Sequence, residues 1–345
     1  MTDFNRYIVE EGTSIKEALR RLNELSGDVM TLLAVDSQGR MSGTLTDGDV
    51  RRAIISGAKL DTPVKDMMHR DFKYISDENG QHQALRPLRE IGIKLLPVLD
   101  SSRKITRVID LRRTKAILPV SALIMAGGKG ERLRPLTLTT PKPLLEIGGK
   151  PIIDYNVEAL AAVGIDDIKV SVNYLAEKLE SHFSGSQVEC VRETSPLGTI
   201  GALAEIEDFR HDTVLVMNSD LLTDISFEDM YDKHIAEEAD ITIAATPYTQ
   251  AVPYAILQTE GDRVVALEEK PIYSYYANAG IYMISANAMK LMEKGQRTDA
   301  TDLIETAINS GLKVIYFPIT GTWIDIGSPA DFSHACDLMK YHQQK

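Results

Sequence analysis

The residues best suited to chemistry are concentrated between positions 121 and 151. The apolar run 122–126 has the length of a buried strand and leads directly into a glycine-rich loop. Three glycines and two cationic side chains follow it: Gly127, Gly128, Gly130, Arg132 and Lys142. Glycine permits positive φ and lets backbone N–H groups approach an anion, while Arg and Lys donate to phosphate oxygens. The pattern predicts a cradle for the phosphates of a nucleoside triphosphate.

Spacing excludes two common glycine loops. A Walker A loop needs Gly-Lys followed by Ser or Thr, but Lys129 is followed by Gly130. The dinucleotide fingerprint Gly-x-Gly-x-x-Gly needs a third glycine at position 133, where Leu133 stands. Three glycines alone would be typical of an ordinary turn after a strand. The residues that follow in register favour a phosphate site.

The motif Gly127-Gly128-x-Gly130-x-Arg132-Leu133-x-Pro135-Leu136-Thr137, followed by Pro141-Lys142-Pro143, resembles the signature of the sugar-1-phosphate nucleotidyltransferases, in particular mannose-1-phosphate guanylyltransferase-like enzymes. It departs from the family at Glu131, where Thr or Ser is usual. The resemblance implies the reaction of a nucleoside triphosphate with a sugar 1-phosphate to give a nucleotide sugar and pyrophosphate. It implies nucleotide contacts at Ala126 and the glycines, with Arg132 on the triphosphate and Lys142 on the α-phosphate.

A second loop, Pro196-Leu197-Gly198-Thr199, precedes a predicted helix over 199–209. Gly198 permits a flat base to approach the backbone, and the helix start at Thr199 offers free N–H donors. A simple proline-glycine turn is the alternative on local chemistry. The sequence Pro196-Leu197-Gly198-Thr199-x-Gly-Ala resembles the family's base-binding loop. Residues 196–199 are called the base loop below. Relatives that use UTP or dTTP typically carry Gln before this proline, so Ser195 favours GTP first and CTP next.

Acidic and sugar-binding candidates follow later strands. Asp220 comes directly after the predicted strand 213–217, where an acidic group could hold Mg²⁺ or simply cap a turn. The resemblance makes Asp220 and Asp325 the two ligands of a Mg²⁺ cofactor, with capping of the last helix as the alternative for Asp325. Two adjacent carboxylates repel, so replacing either with Asn is expected to preserve or raise the stability of the metal-free protein.

The family's Glu-Lys-Pro motif is matched by Glu269-Lys270-Pro271. The resemblance implies that Lys270 holds the sugar phosphate and that Glu269 contacts sugar hydroxyls, while Asn278 and Gly280 belong to a sugar-binding strand. Neighbouring residues of a regular strand point to opposite faces, so Glu269 and Lys270 need a loop or bulge to act together. A solvated charge run is the alternative.

Composition limits the class of protein. The chain has 345 residues and a net charge of −12, which suggests two domains and argues against a nucleic-acid surface. The two cysteines have no metal-like spacing and predict neither a disulfide framework nor a zinc site. Residues 1–12 are polar, without the apolar core of a signal peptide, and no run is long enough to span a membrane. A cytoplasmic protein without membrane or nucleic-acid partners is expected.

The first third of the chain contains a repeat, because residues 32–37 recur in similar form at 96–101. A helical pattern precedes each copy, the second one at Ala84, Leu85 and Leu88, and each copy is predicted as helix, strand, strand, helix. The doubled unit resembles the tandem CBS (Bateman) module, which implies an adenosine nucleotide at Thr46 and Asp49 and a homo-oligomer. A capping box formed by the same two residues is the alternative. Asp110 and Arg113 stand at the equivalent positions of the second copy.

The domain boundary is predicted near residue 118, which gives a tandem CBS domain over 1–118 and a catalytic domain over 119–345. Strand-like and helix-like segments alternate after the boundary. This pattern predicts an α/β fold with a doubly wound, mostly parallel sheet that binds its ligand at the carboxyl ends of the strands. The N-terminal domain is predicted as α+β. Two alternatives remain: a cytidylyltransferase acting on a sugar or alcohol phosphate, and a non-catalytic nucleotide sensor.

Overall fold

The computed structural model describes residues 4–76 and 85–343. Its backbone contacts separate two units, Met1–Ile117 and Leu118–Lys345. Each unit has its own buried apolar cluster, for example around Leu32 and Leu45 in the first and around Val214 and Ile284 in the second. Among the described residues, no helix combines the length and apolar character needed to cross a membrane.

The first unit repeats one small sheet. Its strands are β1 (Ile8–Glu10), β2 (Thr31–Val35), β3 (Met41–Thr46), β4 (Ile75–Ser76), β5 (Leu95–Leu99) and β6 (Ile105–Asp110). Its helices are α1 (Ile15–Glu24), α2 (Asp47–Ile55) and α3 (Arg86–Glu90). In each copy the first strand pairs in parallel with the second, and the second pairs antiparallel with the third. The pairing register shifts between Ala34 and Val35 in the first copy and between Val98 and Leu99 in the second. These positions are equivalent, so the two copies share even this irregularity of the backbone.

The second copy is less regular than its sequence pattern predicts. Ala84 lies outside the described residues, and α3 begins at Arg86. After β6 the chain forms a turn over 111–113, not the predicted closing helix. Asp110 accepts hydrogen bonds from the Arg112 backbone and side chain, which favours the turn because the carboxylate satisfies these donors locally.

The second unit contains the predicted α/β sheet. Its strands are β7 (Ser121–Met125), β8 (Glu146–Ile147), β9 (Lys150–Pro151), β10 (Ile168–Val172), β11 (Glu189–Arg192), β12 (Thr213–Asn218), β13 (Leu221–Thr223), β14 (Ile241–Ala251), β15 (Ile256–Glu260), β16 (Arg263–Glu268), β17 (Ile272–Ser285), β18 (Val314–Pro318) and β19 (Trp323–Asp325). Its helices are α4 (Ile152–Ala162), α5 (Ala176–His182), α6 (Phe227–Ala236), α7 (Ala286–Met289), α8 (Ala300–Asn309) and α9 (Pro329–Gln343).

The seven-stranded sheet has the order β11-β10-β7-β12-β17-β14-β18. Only β17 runs antiparallel to its neighbours, so the sheet is mostly parallel as predicted. β7, β10 and β12 are buried along most of their length, as expected when helices cover both faces. Met125 of β7 pairs with Asn218 of β12, so the loops that follow these strands leave the sheet at one edge.

Two features of this unit differ from the sequence-based expectation. The helix predicted over 199–209 is only a 3₁₀ helix, Gly201–Glu205. β14 continues to Ala251 and pairs with the first half of β17, which forms a two-stranded arm beyond the main sheet. β15 and β16 pair antiparallel and form a hairpin between β14 and β17.

Candidate active site

A cavity of about 880 Å³ opens at the sheet edge where β7 and β12 end. Its lining contains residues of the glycine loop, the base loop and the segment after β12: Ala126, Gly127, Gly128, Gly130, Arg132, Lys142, Pro196, Gly198, Thr199, Asn218 and Asp220. All the predicted nucleotide-binding residues therefore line one cavity. This agrees with the rule that such sheets bind ligands beyond the carboxyl ends of their strands.

The glycine loop is shaped chiefly by Gly130. Gly130 has φ of 60°, and a Cβ there would lie 3.0 Å from Thr137 and 3.1 Å from Lys142. A side chain at this position would meet both strain and crowding. Gly127 and Gly128 do not have positive φ, contrary to the expectation for the whole loop. Glu131, which the family motif left unexplained, is exposed and pairs with Arg134, 3.3 Å away.

Arg132 is positioned by its buried neighbour. Leu133 packs with Ile326 in one apolar cluster, and full burial of a side chain of this size contributes about 1.5–3 kcal/mol. A Cβ on Gly327 would lie 3.1 Å from Nη2 of Arg132. The guanidinium therefore lies beside the segment that carries Asp325.

The two candidate metal ligands are neighbours because β13 pairs with β19. Leu221 pairs with Asp325 in this antiparallel ladder, and Ile326 N donates to Asp220 O at 3.0 Å. Lys142 Nζ donates to Asp220 Oδ2 and lies 4.0 Å from Asp325 Oδ1. Burial raises the pKa of Asp325, and the nearby Asp220 raises it further. The site thus concentrates two carboxylates around one buried ammonium.

Asp220 fits a role as a metal ligand. Its Oδ1 is buried and has no hydrogen-bond partner among the described residues, which leaves an acceptor directed at a cation or a bound group. No cluster of three or more His, Cys, Asp or Glu side chains forms a complete metal site in the described part of the chain. Two carboxylates suit Mg²⁺, which usually keeps water and substrate phosphates as its other ligands.

The base loop is hydrogen-bonded to the residues at the start of α8. Gly198 has φ of 86°, and a Cβ there would lie 2.5 Å from Thr298 O, so only glycine fits. Thr199 N donates to Asp299 Oδ1 at 2.9 Å. The expectation of a free N–H donor at Thr199 is therefore wrong, because Asp299 already satisfies this donor.

Glu193 is a cavity residue that the motifs did not reveal. It directly follows β11, is buried, and accepts a hydrogen bond from Leu197 N at 3.3 Å. Burial raises the pKa of this carboxyl above its ordinary value. The family resemblance pointed only to the residue next to Pro196. The useful signal was an acidic residue at the end of the strand before the loop.

The sugar-binding candidates do not line this cavity. Glu269 and Lys270 lie in the exposed connection between β16 and β17, where Lys270 has φ of 47°, so the predicted break from regular strand geometry is present. Asn278 lines a separate depression of about 380 Å³ together with Tyr276 and Tyr316. Gly280 is closer to the site, because a Cβ there would lie 2.4 Å from the side-chain amide of Asn218.

In the first unit, Thr46 and Asp49 form the capping box of α2. Thr46 N donates to Asp49 Oδ2 at 2.8 Å, and Asp49 N donates to Thr46 Oγ1 at 3.3 Å. Burial raises the pKa of Asp49, but hydrogen bonds from Thr46 and Arg52 outweigh this effect and lower it. Thr46 also lines a cavity of about 620 Å³ with His69, Lys73 and other residues of this unit.

The Nucleotidyl transferase family model matches residues 121–341, which is more than half of the chain and contains the whole cavity lining. The chain belongs to the nucleotidyl transferase family. Members of this family generally use a divalent metal. A CBS domain model matches residues 1–56, the first copy of the N-terminal repeat.

The relatives of this family member include named guanylyltransferases. A mannose-1-phosphate guanyltransferase of Candida albicans is 35% identical over 246 residues, which cover 66% of this chain and 67% of that protein. A mannose-1-phosphate guanylyltransferase catalytic subunit beta of Danio rerio is 34% identical over 226 residues, which cover 62% of each chain. The chain thus spans 62 to 67% of the length of these curated relatives.

A solved structure is similar to the second unit. It is a Bacillus anthracis protein assigned as a glucose-1-phosphate thymidylyltransferase and crystallised with sucrose. The TM-score is 0.51 at 23% identity, and the match covers 64% of this chain and 95% of that chain. At this identity the similarity shows a shared fold.

The capping box gives a testable prediction for the first unit. We expect Thr46→Ala to lower the free energy of unfolding of this unit by about 0.5–2 kcal/mol without any nucleotide, because an N-cap acceptor is lost. Thr46→Ser keeps the hydroxyl and is the matched control. Calorimetric melting of the full chain measures the change. A Thr46→Ala protein that melts like wild type would contradict the capping role.

Proposed function

We propose that the chain transfers a guanylyl group from GTP to a sugar 1-phosphate and so makes a GDP-sugar and pyrophosphate. The proposal rests on membership of the nucleotidyl transferase family, on the gathering of the predicted nucleotide residues around one cavity, and on the named relatives. A sugar phosphate oxygen attacks the α-phosphorus, the bond from that phosphorus to the bridging oxygen breaks, and pyrophosphate leaves.

The preference for guanine is carried by one observation, the buried carboxylate of Glu193 at the base loop. An ionised carboxylate only accepts hydrogen bonds. Guanine offers two adjacent donors, N1–H and N2–H, whereas uracil and thymine offer one N–H between two carbonyl oxygens that a carboxylate repels. Cytosine offers its amino group beside an unprotonated ring nitrogen, which places CTP second.

Two cations of the cavity, Arg132 and Lys142, serve the phosphates in this proposal. Arg132 neutralises the triphosphate and the leaving pyrophosphate, and Lys142 stabilises charge on the transferring phosphate. Asp220 and Asp325 would hold Mg²⁺, which supplies further charge neutralisation on the phosphates when bound. The roles of Lys270 on the sugar phosphate, and of Glu269, Asn278 and Gly280 on the sugar, rest on the family resemblance.

We further propose that residues 1–118 form a tandem CBS domain and that residues 119–345 form the catalytic domain. The CBS match to the first copy and the shared register shifts of both copies support the tandem assignment. An adenosine nucleotide at Thr46 and Asp49 would have to compete with the capping box, because both Asp49 oxygens accept hydrogen bonds there. A homo-oligomer is proposed from the CBS resemblance alone.

One assay tests the catalytic proposal. Nucleoside triphosphates are crossed with a panel of sugar 1-phosphates in the presence of Mg²⁺, and pyrophosphate release is measured. The expected result is the highest kcat/KM with GTP and the next highest with CTP. A preference for UTP or dTTP would overturn the guanine assignment. Turnover with an alcohol phosphate alone would favour the cytidylyltransferase alternative, and binding without any turnover would favour a sensor.

A further inference from the structure

Arg297 is a second charged residue at the base loop that neither the motifs nor the proposed mechanism uses. It lies between α7 and α8 and lines the same cavity as Glu193 and Gly198. Its Nη2 donates to Asp299 Oδ2 at 3.1 Å, while 70% of its side chain remains exposed. An exposed ion pair of this kind contributes little to stability, so the pair by itself gives no reason for an arginine here.

The segment that carries Arg297 is joined to the base loop by reciprocal backbone hydrogen bonds. Thr298 N donates to Leu197 O at 2.9 Å, and Ile200 N donates to Thr298 O at 3.2 Å. Gly198 leaves no room for a side chain against Thr298 O. The loop and the segment therefore form one connected structure on either side of Gly198.

Side chains strengthen the same connection. Asp299 Oδ1 accepts from Thr199 N at 2.9 Å, and Thr199 Oγ1 accepts from Ala300 N, at the start of α8, at 2.9 Å. The other oxygen of Asp299 holds Arg297. One carboxylate thus fixes both the backbone of the base loop and the guanidinium beside it.

Glu193 and Arg297 flank the base loop from its two ends. Glu193 contacts Leu197 N, and Arg297 is linked through Asp299 to Thr199 N. Guanine bears donors at N1 and N2 and acceptors at O6 and N7. A carboxylate and a guanidinium have the complementary properties, and the guanidinium fork matches O6 and N7 together, as it does in the major groove of DNA.

We propose that Arg297 reads the O6 and N7 edge of guanine and that Asp299 is the positioning residue that aims it. This inference rests on the proposed use of GTP. It adds a reason for rejecting adenine, whose amino group would present hydrogens to the guanidinium donors at the place of O6. Arg297 then sets specificity, and Asp299 acts through Arg297 and the loop.

The test combines a substitution of Arg297 with a modification of the guanine base and compares the resulting affinities. Binding of GTP, of UTP and of 7-deaza-GTP, which lacks the N7 acceptor, is measured by calorimetry with Mg²⁺ for wild type and Arg297→Met. The full chain is used in both cases. We expect wild type to bind GTP about tenfold more tightly than 7-deaza-GTP, and Arg297→Met to bind the two equally.

Controls separate base reading from general charge. Arg210→Met removes another exposed arginine that pairs with an aspartate, and Arg210 lies outside the cavity lining. This control is expected to keep the tenfold ratio. Asp299→Asn keeps a helix-capping residue but weakens the hold on Arg297, so the ratio should fall while the melting temperature changes little.

Each outcome has one interpretation. If Arg297→Met loses affinity for GTP and 7-deaza-GTP by the same factor, Arg297 binds the phosphates or ribose and the inference is wrong. If the variant keeps both wild-type affinities, Arg297 does not contact the nucleotide and the inference is also wrong, although wild-type preference for GTP over UTP would leave the proposed function intact. If wild type shows no preference for GTP over UTP, the guanine assignment fails and this inference fails with it.

Discussion

Asp220→Asn is expected to reduce turnover at saturating substrates and Mg²⁺ by at least about a hundredfold. The change keeps the volume of the side chain and removes a charge that the proposed metal site requires. Metal neutralisation of phosphate charge contributes several kcal/mol to a barrier, and each 1.36 kcal/mol is about tenfold in rate. Asp325→Asn should lose a comparable factor, because β13 and β19 hold both carboxylates at the same place.

The two variants should differ in stability without metal. Asp220 accepts from the buried Lys142, so its loss leaves a buried ammonium whose remaining ion-pair partner in the described part of the chain is Asp325, 4.0 Å away, and should lower the melting temperature. The expectation that either change preserves stability is therefore revised for Asp220. Asp325 has a raised pKa, which means that its ionised form is unfavourable in the fold, so Asp325→Asn should melt at the same temperature or higher.

Turnover as a function of Mg²⁺ concentration and melting of the metal-free protein measure both effects. Asp212→Asn is a suitable control, because Asp212 is exposed and directly precedes β12, at the opposite end from Asp220. An Asp325→Asn enzyme that melts early but keeps full Mg²⁺-dependent turnover would show that Asp325 is only structural.

Glu193→Gln is expected to reduce kcat/KM with GTP by about a hundredfold and to raise the relative use of UTP. The amide keeps one acceptor for guanine but directs an N–H₂ group at the second donor, and a buried unmatched polar pair costs about 1–3 kcal/mol. The same amide complements the N–H and carbonyl of uracil. Steady-state kinetics with both nucleotides measure the change.

Because Glu193→Gln also removes a buried charge, the same variant should change the melting temperature and the pH dependence of GTP binding. Burial raises the pKa of Glu193 above its ordinary value, so the folded protein holds this proton more tightly than the unfolded chain. The ionised form therefore costs stability at neutral pH, and Glu193→Gln should raise the melting temperature there. GTP needs the ionised form, so affinity should fall as pH falls through the raised pKa, and the variant should lose this dependence.

Glu189→Gln provides the matched control for Glu193. Glu189 begins β11, four residues before Glu193, and pairs with Lys169, which also contacts Asp208. The ratio of GTP to UTP use should be that of wild type in this control. An unchanged ratio in Glu193→Gln itself would show that another group selects the base.

Sequence patterns predicted the parallel part of the fold well. The strand predicted at 213–217 matches β12 apart from its last residue, and the strand predicted at 122–126 lies one residue later than β7. Alternation of apolar runs reveals where strands occur but not their direction, so the antiparallel β17 could not be inferred. The helix predicted over 199–209 failed because Thr298 and Asp299 satisfy the backbone of Thr199 and Ile200 in place of a helical turn.

Sequence motifs predicted those site residues that lie close together along the chain. The glycine loop and Asp220 follow strand ends, which the fold brings together, and Lys142 belongs to the same continuous motif as the glycine loop. Glu193 and Arg297 belong to no motif, and the roles proposed for them rest on contacts with Leu197 and, through Asp299, Thr199. β13 and β19 are three residues long and lie about a hundred positions apart, so their pairing could not be predicted from the sequence. The short distance between Asp220 and Asp325 follows from that pairing and was therefore not predictable either.

The ladder between β13 and β19 also sets an order of events during synthesis. A ribosome that has released the chain through α8 has already delivered the glycine loop, the base loop and Asp220. Asp325 follows only afterwards, and until then Asp220 lacks its partner strand. Because a domain generally folds as a unit, the second unit can complete this pair of carboxylates only after β19 has been made. Unfinished chains would therefore lack the full set of side chains proposed to hold the metal.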